Sequence, residues 1–374
     1  MPHEARDNRS ANPDSPDDHA LAAAPLEPPA WDRTLGAPAA WTFVACFLAW
    51  MLVVFTVWTT WPGQDHGTRM ADSNILNAGN VYATRGFDHR HAIPQLETYE
   101  DDERRPVLYG TYPPGPYWVH AVVRLSGIDD VATIRGVSVI GATLAGLLGL
   151  VAFGVLARSW LVGAVAAAFY CFSAPFSGYA DSVHMNVWMQ IILFAFLIAW
   201  AGFERVRGPW RWGILALAGL AYFLQVWMTL EQIGLIAIVV AVRTILSRRW
   251  SVWIGGAILA GVCVLGLASR FWHLHFEFGS YDGAREYLLG KYQHRSGEGN
   301  AGRSGVSLAE VARQWLGQLH WSEAGESSRK REFGYPLLAT PVLVSGGLIL
   351  ATMLAARVLR ARPAVRVRPR AFRG

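Results

Sequence analysis

The run Ala39 to Trp61, AAWTFVACFLAWMLVVFTVWTTW, carries no charged residue. About 20 consecutive apolar residues suffice to cross a bilayer. In hydrocarbon every backbone polar group must be satisfied within the segment, so such a run spans as a helix. Further apolar runs lie at 134–157, 161–178, 186–203, 212–229, 231–247, 251–270 and 335–356, which makes eight expected spans. Composition agrees: 52% of the chain is hydrophobic and 16% charged, against roughly 25% charged in soluble domains. The 17 Trp and 37 Gly suit membrane interfaces and close helix packing. Gly141, Gly146 and Gly149 read as such packing positions. The expected fold class is an all-α polytopic membrane protein.

Charge then orients the spans. With the N-terminus on the cytoplasmic side, Arg158, the cluster Arg205/Arg207/Arg211, the cluster Arg243/Arg248/Arg249 and the basic tail 357–374 all fall inside, as the positive-inside rule requires. This accounts for the net charge of +5 without a nucleic-acid partner. Residues 1–38, rich in Ala, Pro and Asp and without apolar periodicity, read as a disordered cytoplasmic tail. They lack the apolar core of a signal peptide. The transmembrane module is expected over 39–270, with an outer loop at 62–133, a second outer loop at 271–334 and a last span at 335–356. Residues 114–126 are too short to cross and open with Tyr117-Trp118, which predicts an interfacial helix. Cys46, Cys171 and Cys263 all sit in apolar runs and form no disulfide or metal-binding pattern.

The acids, histidines and aromatics concentrate on the outer face, where chemistry is therefore expected. The first outer loop carries Asp65, Arg69 and Asp72. A carboxylate there can take a proton from an incoming hydroxyl or be a solvated loop acid. Asp181 stands where one span emerges and the next begins, either as a functional acid or as a helix N-cap. His184 and Asn186 can hydrogen-bond a sugar or hold Asp181 in place. Glu231 interrupts a long apolar stretch at its outer end, as a cavity residue or as a hairpin turn. Arg270, at the outer end of its span, is suited to a lipid phosphate or snorkels to the interface. The triplets His89-Arg90-His91 and His273-Leu274-His275 raise metal binding, but no third ligand stands at a fixed spacing. A divalent metal stays an open alternative, and no cofactor is indicated. The Walker phosphate loop and the nucleophile elbow are absent from the sequence.

One order of features is recognisable. A span is followed by a loop with Asp72 and then Gly86-Phe87. Next come Thr111-Tyr112-Pro113-Pro114-Gly115-Pro116-Tyr117-Trp118, a span with Arg158 at its inner end, and a span ending in Ser173-Ala174-Pro175-Phe176-Ser177 before Asp181. This resembles the N-terminal module of the GT-C glycosyltransferases, closest to the family 39 and family 83 type, related to protein O-mannosyltransferases and lipid A sugar transferases. The similarity covers roughly 40–250, and the Tyr-Pro-Pro segment is its most specific part.

The resemblance implies a polyprenyl-phosphate sugar as donor, transfer on the outer face to an acceptor lipid, glycan or protein, and a bacterial inner (plasma) membrane location. It further implies Asp72 as the first-loop catalytic acid, with Asp65 as the alternative. Tyr112, Pro113 and Pro114 would line the carrier site, Asp181 would be the second acid, and Glu231 a polar residue beside the cavity. Two positions depart from the pattern. Ser73 follows Asp72 where Glu is usual, and Tyr112 stands where some relatives have Lys, so Arg270 or Arg69 is expected to meet the phosphate. The competing expectation is a non-catalytic membrane protein, such as a transporter or flippase subunit or an inactive scaffold. That reading requires polar groups near the span centres.

Overall fold

The computed structural model describes residues 30–60, 69–95, 108, 113–173, 176, 180, 186–247, 249–296, 346–348, 350–352 and 354. Its elements are α1 (Ala30–Thr60), α2 (Arg69–Arg85), a short turn of helix at His89–Ala92, α3 (Gly115–Leu125), α4 (Val131–Ala157), α5 (Trp160–Cys171), α6 (Asn186–Arg205), α7 (Trp210–Met228), α8 (Glu231–Leu246), α9 (Trp250–Phe278) and α10 (Tyr281–Ser296). Among the described residues no strand forms; an isolated antiparallel bridge joins Gln95 to Leu108.

Among the described residues five helices are long and apolar enough to cross a membrane: Asp32–Thr56, Val131–Ala157, Val187–Arg205, Trp210–Met228 and Trp250–Phe278. This fits an α-helical polytopic membrane protein, and among the described residues five of the eight expected spans form such helices. The spans read at 161–178 and 231–247 are shorter apolar helices, Trp160–Cys171 and Gln232–Leu246. At about 1.5 Å per residue they measure roughly 18 and 22 Å, against a hydrocarbon core of about 30 Å. α5 ends at Cys171, where the Ser173 hydroxyl donates to the Tyr170 carbonyl at 2.6 Å. Pro175 follows in the sequence, and neither it nor the residue before it favours a continued helix. Most of the span read at 335–356 lies outside the described residues.

Two boundaries also move. α1 begins at Ala30, so the limit at 38 read for the tail falls inside it, with Pro38 in the helix. The reason is tertiary. Asp32, only 6% exposed, accepts from the Ser159 hydroxyl at 2.8 Å and from the backbone N–H groups of Leu161 at 3.0 Å and Trp160 at 3.2 Å. An acid far from α5 in sequence thus meets the open N–H groups of its first turn, where a helix favours negative charge. The outer loop read at 271–334 begins as helix instead. α9 runs on to Phe278, ends at the left-handed Gly279, and α10 follows.

The helices pack in two groups. Phe43, Phe47, Met51 and Val54 form a buried stripe on α1 that meets α4 and α5. Gly146 of α4 makes room for it: a Cβ there would come within 2.3 Å of the Phe47 ring. α4 and α5 cross so closely that a Cβ on Gly163 would lie 2.5 Å from Gly154 Cα. The second group joins α6, α7, α8 and α9 around Trp200, Phe196, Tyr222 and Ile236.

The C-terminal ends of α4, α6 and α8 meet the N-terminal ends of α7 and α9, which gives the bundle two unlike ends. At the basic end, Arg205 donates to the Val155 carbonyl, Arg243 makes a bidentate pair with Glu204, and Arg249 donates to the Glu204 carbonyl at 2.8 Å. Among the described residues Arg158, Arg205, Arg211, Arg243 and Arg249 gather there; Arg248 and the basic tail 357–374 lie outside the described residues. The opposite end is aromatic and carries α2, α3 and α10.

Candidate functional site

At the aromatic end α2 and α3 form a packed pair. Ile75, Ala78 and Tyr82 of α2 bury against Tyr117 and Ala121 of α3. The expected interfacial helix 114–126 is α3, Gly115–Leu125. Pro116 stands in its first turn, where the missing N–H costs nothing and the fixed φ is already helical. Tyr117, His120 and Ala121 face inward while Val122 and Leu125 are exposed, the amphipathic pattern of a helix lying at an interface.

The Pro113-Pro114-Gly115 segment is buried and seats on the end of α7. A Cβ on Gly115 would stand 2.4 Å from Met228 Sδ and 2.6 Å from the Trp227 carbonyl oxygen. Only glycine allows the elbow to lie this close. Trp227 is the hub. Trp118 stacks on it at 5.7 Å between ring centroids, and the His273 ring meets it edge-on at 5.0 Å. The Arg270 guanidinium lies 6.0 Å from the Trp227 ring centre. Arg270 is 3% exposed. Burial pushes the Tyr82 phenol well above its ordinary range, partly opposed by the nearby Arg270 cation. Tyr82 is therefore neutral at physiological pH and does not cancel the Arg270 charge.

A second layer covers this hub. Arg90, His91 and Ala92 adopt left-handed φ of 53°, 52° and 59° in succession. L-residues avoid this region at a cost of about 1–2 kcal/mol each. The turn is held by α9. His273 Nδ1 donates to the His91 carbonyl at 3.0 Å, His91 Nδ1 donates to Glu277 at 3.1 Å, and the His91 ring stacks on Phe276. His89 Nε2 donates to the buried Gln95 at 3.2 Å, and Tyr287 of α10 donates to the Leu108 carbonyl at 3.2 Å. The two His-x-His triplets thus meet, but through a ring nitrogen and a carbonyl. Among the described residues no three His, Cys, Asp or Glu side chains gather as a metal site.

Of the residues assigned to the carrier and phosphate site from the sequence, Pro113, Pro114 and Arg270 have described side chains: Arg270 lies over the Trp227 ring, and the two prolines are buried beside Gly115, which abuts Trp227. Arg69 is the first residue of α2 and Asp72 falls in its first turn; Glu231 is the first residue of α8. For these three the backbone is described and the side chains are not. Asp65, Tyr112, Asp181 and His184 lie outside the described residues. Sequence reasoning missed Trp227, Tyr82 and Tyr117 as site residues. The available signal was aromatic clustering at the span mouths: Tyr117-Trp118 in the elbow motif and Trp227 shortly before Glu231.

No family model matches the chain, and none of the curated proteins compared with it matches either.

Proposed function

We propose that the chain is a membrane glycosyltransferase that moves a sugar from a polyprenyl-phosphate carrier to a hydroxyl-bearing acceptor at the aromatic end of the bundle, read as the outer face. The observation that carries this reading is the buried Arg270 beside Trp227, on the turn where the Pro113-Pro114-Gly115 elbow docks. An ionisable group at that depth in a membrane protein marks a functional site by default, and the planar fork of a guanidinium suits a phosphate. The aromatic faces around it suit a sugar ring and the first carbons of a prenyl chain.

The chemistry then follows from a donor that is already activated. The acceptor oxygen attacks the anomeric carbon. The bond from that carbon to the phosphate oxygen breaks, and polyprenyl phosphate leaves with the bonding pair. Arg270 stabilises the charge that develops on it. The acceptor proton passes to an outer-face carboxylate, assigned to Asp72 from its place after the first span. A single displacement inverts the anomeric centre.

The test is transfer in membranes containing the full chain, supplied with radiolabelled polyprenyl-phosphate sugars. Wild type is expected to label an acceptor with inverted configuration, and Asp72→Asn to lose most of this. No transfer from any lipid-linked sugar, or a product with retained configuration, would overturn the reading.

A further inference from the structure

A hollow of 420 Å³ opens between α7 and α9, lined by Trp212, Ala216, Gly219, Phe223, Ile258 and Val262 among others. Small residues on α7 make it. A Cβ on Gly219 would meet only Val262 at 3.6 Å and Leu259 at 4.0 Å. From Trp212 to Phe223 the groove runs about 16 Å along the helix, roughly half of a 30 Å hydrocarbon core, so it is one leaflet deep. That leaflet is the one at the basic end, because Trp212 stands in the first turn of α7.

The mouth of the groove is cationic. The Arg211 guanidinium lies 5.5 Å from the ring of Trp212, which lines the groove, and donates to the Ser251 hydroxyl at 2.7 Å. Arg249 stands just before Ser251 in the chain and is exposed. On the two joints concerned, Arg205, Arg211, Arg243 and Arg249 stand near one described carboxylate, Glu204, and Arg243 already holds it in a bidentate pair. Trp210, Trp250 and Trp253 stand exposed around the same mouth, as side chains do at headgroup level. Orienting the spans needs only a cationic surplus. It does not require a chain-width apolar groove that ends at that surplus.

We propose that the α7–α9 groove and the guanidinium groups of Arg211 and Arg249 form a binding site for an anionic phospholipid of the leaflet at the basic end. One acyl chain lies along Ala216 and Gly219, and the headgroup phosphate sits at the two cations. Charge complementarity selects an anionic over a zwitterionic lipid. Its cationic mouth lies at the opposite end of the bundle from Arg270, and the site does not depend on the transfer reaction.

The experiment uses the purified full chain in neutral detergent. Native mass spectrometry and thermal melts are recorded with phosphatidylglycerol, phosphatidylcholine or a polyprenyl phosphate added. Phosphatidylglycerol is expected to bind and raise the melting temperature, and phosphatidylcholine to do neither. With each surface cation contributing a few-fold, the double variant Arg211→Gln/Arg249→Gln should bind phosphatidylglycerol roughly thirtyfold more weakly. Gly219→Leu keeps both cations and fills the groove, so it should also lower binding. It decides the matter if the double variant does not fold. Equal binding of the two phospholipids, unchanged binding by Gly219→Leu, or displacement of phosphatidylglycerol by equimolar polyprenyl phosphate would overturn the proposal.

Discussion

Gly115 and Met228 are in contact through a space that a single methyl group would close: the Cβ of any other residue at 115 would lie 2.4 Å from Met228 Sδ. The sulfur is the end of a pliant side chain, but the Trp227 carbonyl oxygen, at 2.6 Å from the same point, is backbone. The elbow between α2 and α3 is thereby seated on the last turn of α7.

Gly115→Ala should therefore force the elbow off α7. Overpacking of this kind costs about 1–3 kcal/mol. The expected result is a lower melting temperature and a loss of transfer larger than the change in stability explains. Adding Met228→Ala should recover only part of it, because the Trp227 carbonyl remains. Full recovery in the double variant would show that the backbone contact does not matter.

Arg270 separates charge from shape. Arg270→Gln removes the cation and should lower the rate of transfer by about 10²–10³, the usual effect of deleting one donor to a developing negative charge. Arg270→Lys keeps a charge but not the planar fork or the stacking on Trp227, so it should fall between the two. Steady-state transfer assays, with melts as a control for folding, check this. A Gln variant as active as wild type would remove Arg270 from the proposed phosphate site.

Asp32 and Ser159 act as one unit, since Ser159 donates to Asp32 at 2.8 Å and also accepts from Val162 N–H at 3.1 Å. Asp32→Ala leaves Ser159 Oγ–H and two backbone N–H groups of α5 without that acceptor, at a cost of about 1–3 kcal/mol. Ser159→Ala should cost about 1 kcal/mol as a lost N-cap. The double variant should cost less than the sum, and a melting-temperature cycle measures the difference. Strict additivity would mean that the two side chains do not interact.

Ala92 tests the strained turn. Its φ of 59° is one that glycine adopts freely, so Ala92→Gly should raise stability by about 1 kcal/mol, less the burial of one methyl group. The His91–Glu277 contact should survive the change, because α9 holds that pair. A lowered melting temperature would argue against strain at this position.

Part of this architecture is legible in the sequence. The uncharged run after Ala39 dictates a spanning helix, and the Arg residues between runs dictate which helix ends belong together, because charge is expelled from hydrocarbon. Gly146 and its neighbours announce close packing. The interfacial helix after Pro114 can be read from its length and its Tyr-Trp start. Other features cannot be read that way. Helix ends at Ala30 and Phe278 depend on contacts across the chain. Asp32 looks like a solvated tail acid until α5 supplies three donors to it. The extra turns after Arg270 are held by the left-handed segment at His91, which lies 182 residues before its partner His273.

The chain alone therefore determined that its long apolar runs fold as helices fit to span hydrocarbon, since the cost of an unsatisfied backbone there depends only on local composition. It also determined which ends carry the cations. The tertiary structure decided what those ends enclose. Trp227 is one apolar residue among many in sequence; it becomes a site because the elbow at Gly115, the ring of Trp118 and the buried charge of Arg270 are brought to it by α3 and α9. The groove from Trp212 to Phe223 exists only because α7 lies beside α9. Periodicity reports which face of a helix is apolar, but a hollow belongs to two surfaces at once, and no single stretch of sequence contains it.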